Sequence, residues 1–127
     1  MAEEKKLILI VDDEADYIKV LSLYFSKAGM EVVGATSGKK ALKAFDAYRP
    51  DAVILDVNMP KMDGAEVCTT MRAKMGVKPI PIIALTGYHS AETKAKMMSV
   101  GANLYITKPV EMKKLVAHVT ELIPNNR

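Results

Sequence analysis

Five short runs of branched and other apolar residues punctuate this chain: Leu7 to Val11, Glu31 to Ala35, Ala52 to Leu55, Ile80 to Leu85, and Leu104 to Ile106. None alternates polar with apolar, as a strand with one wet face would, so they read as strands covered on both faces. That pattern belongs to a parallel sheet wrapped by helices. Pro81 lacks an N–H and is tolerable only near the beginning of its strand, where it lies.

Between the runs, apolar residues recur at helical spacing. Ile18, Leu21, Phe25 and Ala28 stop at Gly29, and Leu42, Phe45 and Tyr48 follow Ser37, a capping residue. Val67, Met71 and Met75 stop at Gly76, while Ala91, Ala95 and Met98 follow Ser90 and end before Gly101. Met112, Leu115, Val119 and Leu122 form the last face before Pro124. Strands alternating with helices, joined by right-handed crossovers, make an open doubly wound α/β sheet. Ligands of such sheets bind outside the carboxyl ends of the strands.

With 127 residues, 50% of them hydrophobic, the chain can bury one core and is too short for a two-domain enzyme. The expected unit is a single domain over 1–127, with its core at 5–122 and 123–127 as a tail or the start of a linker. An excess of 18 basic over 15 acidic residues, net +3, is too small to imply a nucleic-acid surface, which needs the cations on one face. Cys68 is the only cysteine, so no intramolecular disulfide is possible. No signal-peptide pattern follows Met1, and no apolar run approaches the roughly 20 residues that cross a bilayer. The expectation is a cytoplasmic protein with no membrane partner.

The residues that close the strands are therefore the candidate site. The first strand ends in Asp12-Asp13-Glu14, the third in Asp56, the fourth in Thr86, and the fifth in Lys108-Pro109 after Thr107. Two like charges about 4 Å apart repel by roughly 4 kcal/mol at an effective dielectric of about 20, a heavy load for a marginally stable domain. Either some of these carboxylates are protonated or a cation is bound. Lys108 alone does not balance them, and hard oxygen ligands favour Mg²⁺, which commonly bridges carboxylates and phosphate. Asp is also a frequent cap and turn former. Asp63 before Gly64 reads that way, and Asp12 and Asp13 taken alone fit either role. Asp56 tips the balance, because it ends the buried run Ala52-Val53-Ile54-Leu55, where an unpaired charge is expensive.

Taken in order, Val11-Asp12-Asp13-Glu14, Asp56-Val57-Asn58-Met59-Pro60-Lys61-Met62-Asp63-Gly64, Ala84-Leu85-Thr86-Gly87, Gly101-Ala102 and Lys108-Pro109 form a set. With these motifs the chain resembles the receiver domains of two-component response regulators along nearly its whole length. The resemblance implies a CheY-like sheet of five parallel strands in the order 2-1-3-4-5. It also implies that Asp56 accepts a phosphoryl group from a histidine kinase, a phosphotransfer protein or a small phosphodonor. Asp13 and Asp56 would then bind Mg²⁺ directly, Asp12 mainly through water, and Asn58 through its backbone carbonyl. Lys108 would pair with a phosphoryl oxygen, with a cis bond to Pro109.

The same resemblance makes Thr86 and Tyr105 switch residues. Thr86 would donate its hydroxyl to the phosphoryl group, and Tyr105 would turn inward. A surface of the fourth helix, fifth strand and fifth helix would then engage a partner or output domain, as a monomer or a phosphorylation-dependent dimer, and the first helix would meet the kinase. Gly87, where alanine is frequent, departs from the common pattern and loosens the loop bearing Tyr88 and His89. Asn58 and Tyr88 stand where this family sets its dephosphorylation rate, with Tyr88 as a screen for the acyl phosphate. His89 and His118 lack metal-ligand spacing and read as exposed, Cys68 and Met71, Met75, Met98 and Met112 as core, and Met97 as an adaptable filler or part of a docking patch. A flavodoxin-like carrier would need a hydroxyl-rich phosphate loop where Asp12-Asp13-Glu14 stands. A haloacid-dehalogenase-type phosphatase would need an acid at the position of Asn58.

Overall fold

The computed structural model describes residues 5–59, 62–75 and 79–124. Five strands and five helices alternate: β1 (Leu7–Val11), α1 (Ala15–Lys27), β2 (Glu31–Ala35), α2 (Gly38–Tyr48), β3 (Ala52–Asp56), α3 (Gly64–Lys74), β4 (Ile82–Thr86), α4 (Ala91–Ser99), β5 (Leu104–Thr107) and α5 (Met112–Leu122). All neighbouring strands run parallel, in the order β2-β1-β3-β4-β5. Val11 lies opposite Ala35 and Leu55, Leu55 opposite Ala84, and Thr86 opposite Thr107. That register brings the carboxyl ends of all five strands to one edge.

Side chains alternate across the sheet and divide the core in two. Leu9, Val11, Val53, Leu55, Ile82 and Ala84 face Ala41 and Phe45 of α2, Cys68 and Met71 of α3, and Met97 of α4. Ile8, Ile10, Ala52, Ile54, Ile83 and Leu85 face Leu21 and Phe25 of α1 and Leu115 and Val119 of α5. The three middle strands are buried on both faces, which explains their unbroken apolar runs. β2 and β5 depart from that expectation. As edge strands, they leave Val32, Val33 and all of Leu104–Ile106 only half-buried, and Glu31 and Gly34 exposed.

Local chemistry sets the helix ends. The Ser37 hydroxyl accepts from Lys40 N at 3.1 Å, Ser90 from Thr93 N at 3.3 Å, and Asp63 from Ala65 N at 2.9 Å, so Asp63 is the cap it resembled. α1 and α4 close with the same left-handed glycine device. Gly29 (φ 88°) donates to Ser26 O and Met30 to Phe25 O; Gly101 (φ 112°) donates to Met98 O and Ala102 to Met97 O.

Three buried faces differ from the sequence pattern. On α1, Ala28 is exposed, because the helix ends at Lys27. On α2, Ala41 takes the inner place and Tyr48 stands 58% exposed. On α4, Ala91, Ala95 and Met98 all face outward, and Met97 is the buried residue. Met97 is thus core filler rather than docking surface. β4 begins at Ile82, two residues later than the apolar run, since Pro81 has no N–H to give the ladder and contributes only its carbonyl, to Val53 N. Gly76, expected to stop α3, and Pro60, Lys61 and the tail beyond Pro124 lie outside the described residues.

Candidate functional site

The sheet register carries Asp56 and Thr86 to the carboxyl edge, and the turns that follow β1, β3 and β5 bring in Asp12, Asp13, Asn58 and Lys108. Carboxylate oxygens of Asp12, Asp13 and Asp56 lie within 4.8 Å of one another. Asp12 and Asp56 are buried and Asp13 is exposed. Each buried carboxylate is fixed by a tight turn: Asp12 Oδ1 accepts from Glu14 N and Asp56 Oδ1 from Asn58 N, both at 2.9 Å. Their other oxygens face Lys108, whose Nζ donates to Asp12 Oδ2 at 2.9 Å and lies 3.9 Å from Asp56 Oδ2. The Lys108–Pro109 bond is cis.

Burial pushes the Asp56 carboxyl above its ordinary value. The Asn58 N–H and the Lys108 charge oppose that rise, and the Asp12 and Asp13 charges reinforce it. For Lys108, burial favours the neutral amine, but the hydrogen bond to Asp12 and the charges of Asp12 and Asp56 outweigh it, so the ammonium is held above its usual value. Three hard oxygen donors with, among the described residues, only the Lys108 ammonium beside them fit a divalent cation with oxygen preference, the kind of ion that satisfies clustered carboxylates.

Thr86, fully buried, is committed elsewhere. Its hydroxyl accepts from the Asn58 side-chain amide and from Tyr88 N at 3.2 Å, and lies 3.3 Å from Tyr88 O as a donor. The bond to Asn58 links the β3 and β4 loops. Tyr105 is half-buried, its hydroxyl 3.5 Å from Tyr88 O and its ring edge-on to His89 at 5.9 Å. Tyr88 itself is 69% exposed. His118 is exposed, and Cys68 is buried with its thiol raised by burial.

The sequence did not single out two residues, Tyr17 at the site and Arg72 at the opposite edge of the sheet, where the strands begin. The Tyr17 ring lies beneath Lys108 Nζ, 4.1 Å from ring centroid to nitrogen. Arg72 donates to Gly101 O, Ile80 O and Asn103 Oδ1, tying α3 to the approaches of β4 and β5. Neither announces itself in sequence, because each acts across the fold through a long side chain with many rotamers.

A doubly wound five-stranded sheet with three carboxylates and a lysine at its carboxyl edge defines a class, the receiver modules of two-component signalling. A family model for the response regulator receiver domain matches residues 8–120, and the chain belongs to that family. It is a signalling domain rather than a classical enzyme. The chemotaxis protein CheY4 of Vibrio cholerae superposes with a TM-score of 0.87 at 33% identity, over 94% of this chain and 99% of that one. A putative response regulator from Chloroflexus aurantiacus gives 0.86 at 36% identity, over 94% and 98%.

Among curated relatives, the probable transcriptional regulator ycf27 of Cyanophora paradoxa is 39% identical over 123 residues, 97% of this chain and 50% of its own length. The alkaline phosphatase synthesis transcriptional regulatory protein PhoP of Bacillus subtilis is 35% identical over 118 residues, 93% of this chain and 48% of its own. The chain spans about half the length of these curated relatives.

Proposed function

We propose that this domain, one unit across the chain and acting in the cytoplasm, takes a phosphoryl group onto Asp56 and passes the signal on as a change of surface. The observation that carries the reading is Asp56 itself. It is a buried carboxylate at the end of β3, held by Asn58 N–H, with a lysine at 3.9 Å and two further carboxylates alongside. In the step, an Asp56 oxygen attacks phosphorus and the P–N bond to a kinase or phosphotransfer histidine breaks. The imidazole keeps the electron pair, and an acyl phosphate remains on Asp56. A small acyl phosphate serves equally, with a carboxylate leaving. Such transfer needs positioning and charge neutralisation more than acid–base chemistry.

Asp13 and Asp56 would hold Mg²⁺ directly, Asp12 through water, and Asn58 through its carbonyl oxygen. When bound, the ion supplies charge neutralisation between the carboxylates and the phosphoryl oxygens. Lys108 is the chain's own cation for that group, already placed between Asp12 and Asp56. Thr86 would release Tyr88 and Asn58 to donate to a phosphoryl oxygen. Tyr105, whose hydroxyl makes a long 3.5 Å contact to Tyr88 O, would follow inward. A charged-group hydrogen bond contributes about 1.5–3 kcal/mol, whereas inverting a 1:99 equilibrium takes about 5.5, so Thr86 acts together with Lys108 and the Asn58 loop.

The face of α4, β5 and α5 would carry the change to an output domain or effector protein, with no nucleic acid bound by this domain itself, as a monomer or a phosphorylation-dependent dimer. α1 would receive the kinase. α4 suits a moving element, since Met97 is its one buried residue. Intact mass after incubation with acetyl phosphate tests the reading: a phosphoryl adduct that needs Mg²⁺ and is absent from Asp56→Asn supports it. No adduct on the wild type, where a known receiver reacts, overturns it.

A further inference from the structure

Lys108 carries its ammonium on a flexible four-carbon stem, so placing it needs more than a counter-ion. Its described neighbours are Asp12 Oδ2 in the turn after β1 at 2.9 Å, Asp56 Oδ2 at the end of β3 at 3.9 Å and the Tyr17 ring centroid on α1 at 4.1 Å. We propose that Tyr17 is a positioning residue for Lys108, fixing the ammonium beside Asp56 through the face of its ring. Tyr17 lies in the first turn of α1, with its N–H bonded to Glu14 O and its side chain packed on the core beneath α1 and α5. The ring therefore has a defined place, and its negative face attracts a cation within about 6 Å.

The choice of an aromatic has a physical advantage at this edge. A further carboxylate would also hold Lys108, but it would add charge to a cluster already in repulsion. A ring adds none and offers a divalent cation no hard ligand oxygen from its face. Lys108 is steadied without strengthening the trap that a bound phosphoryl group must later draw it from.

The rate arm of the test rests on Asp56 being the phosphoacceptor; the spectroscopic arm does not. Tyr17→Leu, with Tyr17→Met as a second aliphatic replacement, should slow phosphorylation by acetyl phosphate on the order of fivefold, the ratio equivalent to a cation–π contact of about 1 kcal/mol. Tyr17→Phe should stay within about twofold, since it keeps the ring face. In a Lys108→Ala background the aliphatic variants should add almost nothing, because the ring acts through the lysine. Equal slowing in both backgrounds would show a packing role and overturn the proposal. Independently of phosphorylation, the Lys108 methylene protons should be shifted upfield by the ring in wild type and Tyr17→Phe, and return to ordinary positions in the aliphatic variants. An unchanged Lys108 spectrum in Tyr17→Leu would overturn the proposal. A wild type that gains no phosphoryl group would overturn the Asp56 reading alone.

Discussion

Lys108 donates to Asp12 at 2.9 Å and stands 3.9 Å from Asp56, so its ammonium is engaged mainly by Asp12. Among the described residues, Asp56 keeps a single short hydrogen bond, from Asn58 N. Asp56 is thus placed by backbone and shielded by a nearby cation without being neutralised by it. Excess negative charge and a carboxylate raised by burial are the two consequences of that arrangement.

The excess charge predicts the effect of Asp13→Asn. Removing the exposed member of the cluster relieves repulsion, and the metal-free protein should gain up to about 1 kcal/mol. Wild type should in turn be stabilised by Mg²⁺, by about 2.7 kcal/mol at a hundredfold excess over Kd, and Asp13→Asn much less at the same concentration. Thermal midpoints with and without Mg²⁺ check both halves. A variant that is less stable without metal, yet responds normally to it, would contradict the placement of charge.

Burial of Asp56 predicts a pH dependence. The folded state holds that proton more tightly than the unfolded chain, so stability falls as pH rises from the ordinary aspartate range, about 3.9, through the elevated folded value. Asp56→Asn removes the penalty. The variant should be the more stable protein at pH 7, with an advantage that shrinks as pH falls toward about 3.9. Urea midpoints measured across that range decide it, and an advantage that grows on acidification would be the wrong sign.

The bond from the Asn58 amide to the Thr86 hydroxyl predicts that losing Asn58 partly frees Thr86. Asn58→Ala should remove about 1 kcal/mol of hydrogen bonding, enough to shift a two-state ratio about fivefold but not to invert it. The Thr86 methyl resonance should move part of the way toward its position with Mg²⁺ and beryllium fluoride. A resonance that stays put would mean Asn58 does not restrain Thr86.

Two glycines predict unequal costs. Gly29 and Gly101 both have positive φ, which costs an alanine about 1–2 kcal/mol. A Cβ at Gly29 meets nothing within 4 Å, whereas at Gly101 it would lie 2.8 Å from Arg72 Nε. Gly101→Ala should therefore lose more stability than Gly29→Ala, since the Arg72 bonds to Gly101 O and Ile80 O must also shift. Denaturant unfolding of the pair checks the order, and equal losses would remove the role given to Arg72.

The sequence exposed what depends on local pattern and hid what depends on reach. Strand runs such as Ala52 to Leu55 were legible because burial on both faces demands unbroken apolar residues. The edge Asp12, Asp13, Asp56 and Lys108 followed from strand ends alone. The inner face of α4 was misplaced because alanines at 91 and 95 define no phase, and adjacent Met97 and Met98 allow either one. Tyr17 under Lys108 and the tie between Asn58 and Thr86 join residues far apart in sequence through side-chain rotamers, which periodicity does not encode.

Reductive trapping shows where the proposed acyl phosphate forms and so tests the assignment of Asp56. After incubation with acetyl phosphate and Mg²⁺, borohydride converts an aspartyl phosphate to homoserine, which peptide mass mapping locates. Homoserine is expected at position 56 and at neither 12 nor 13. Trapped homoserine at another aspartate, or none in a protein that carries a phosphoryl adduct, would contradict that assignment.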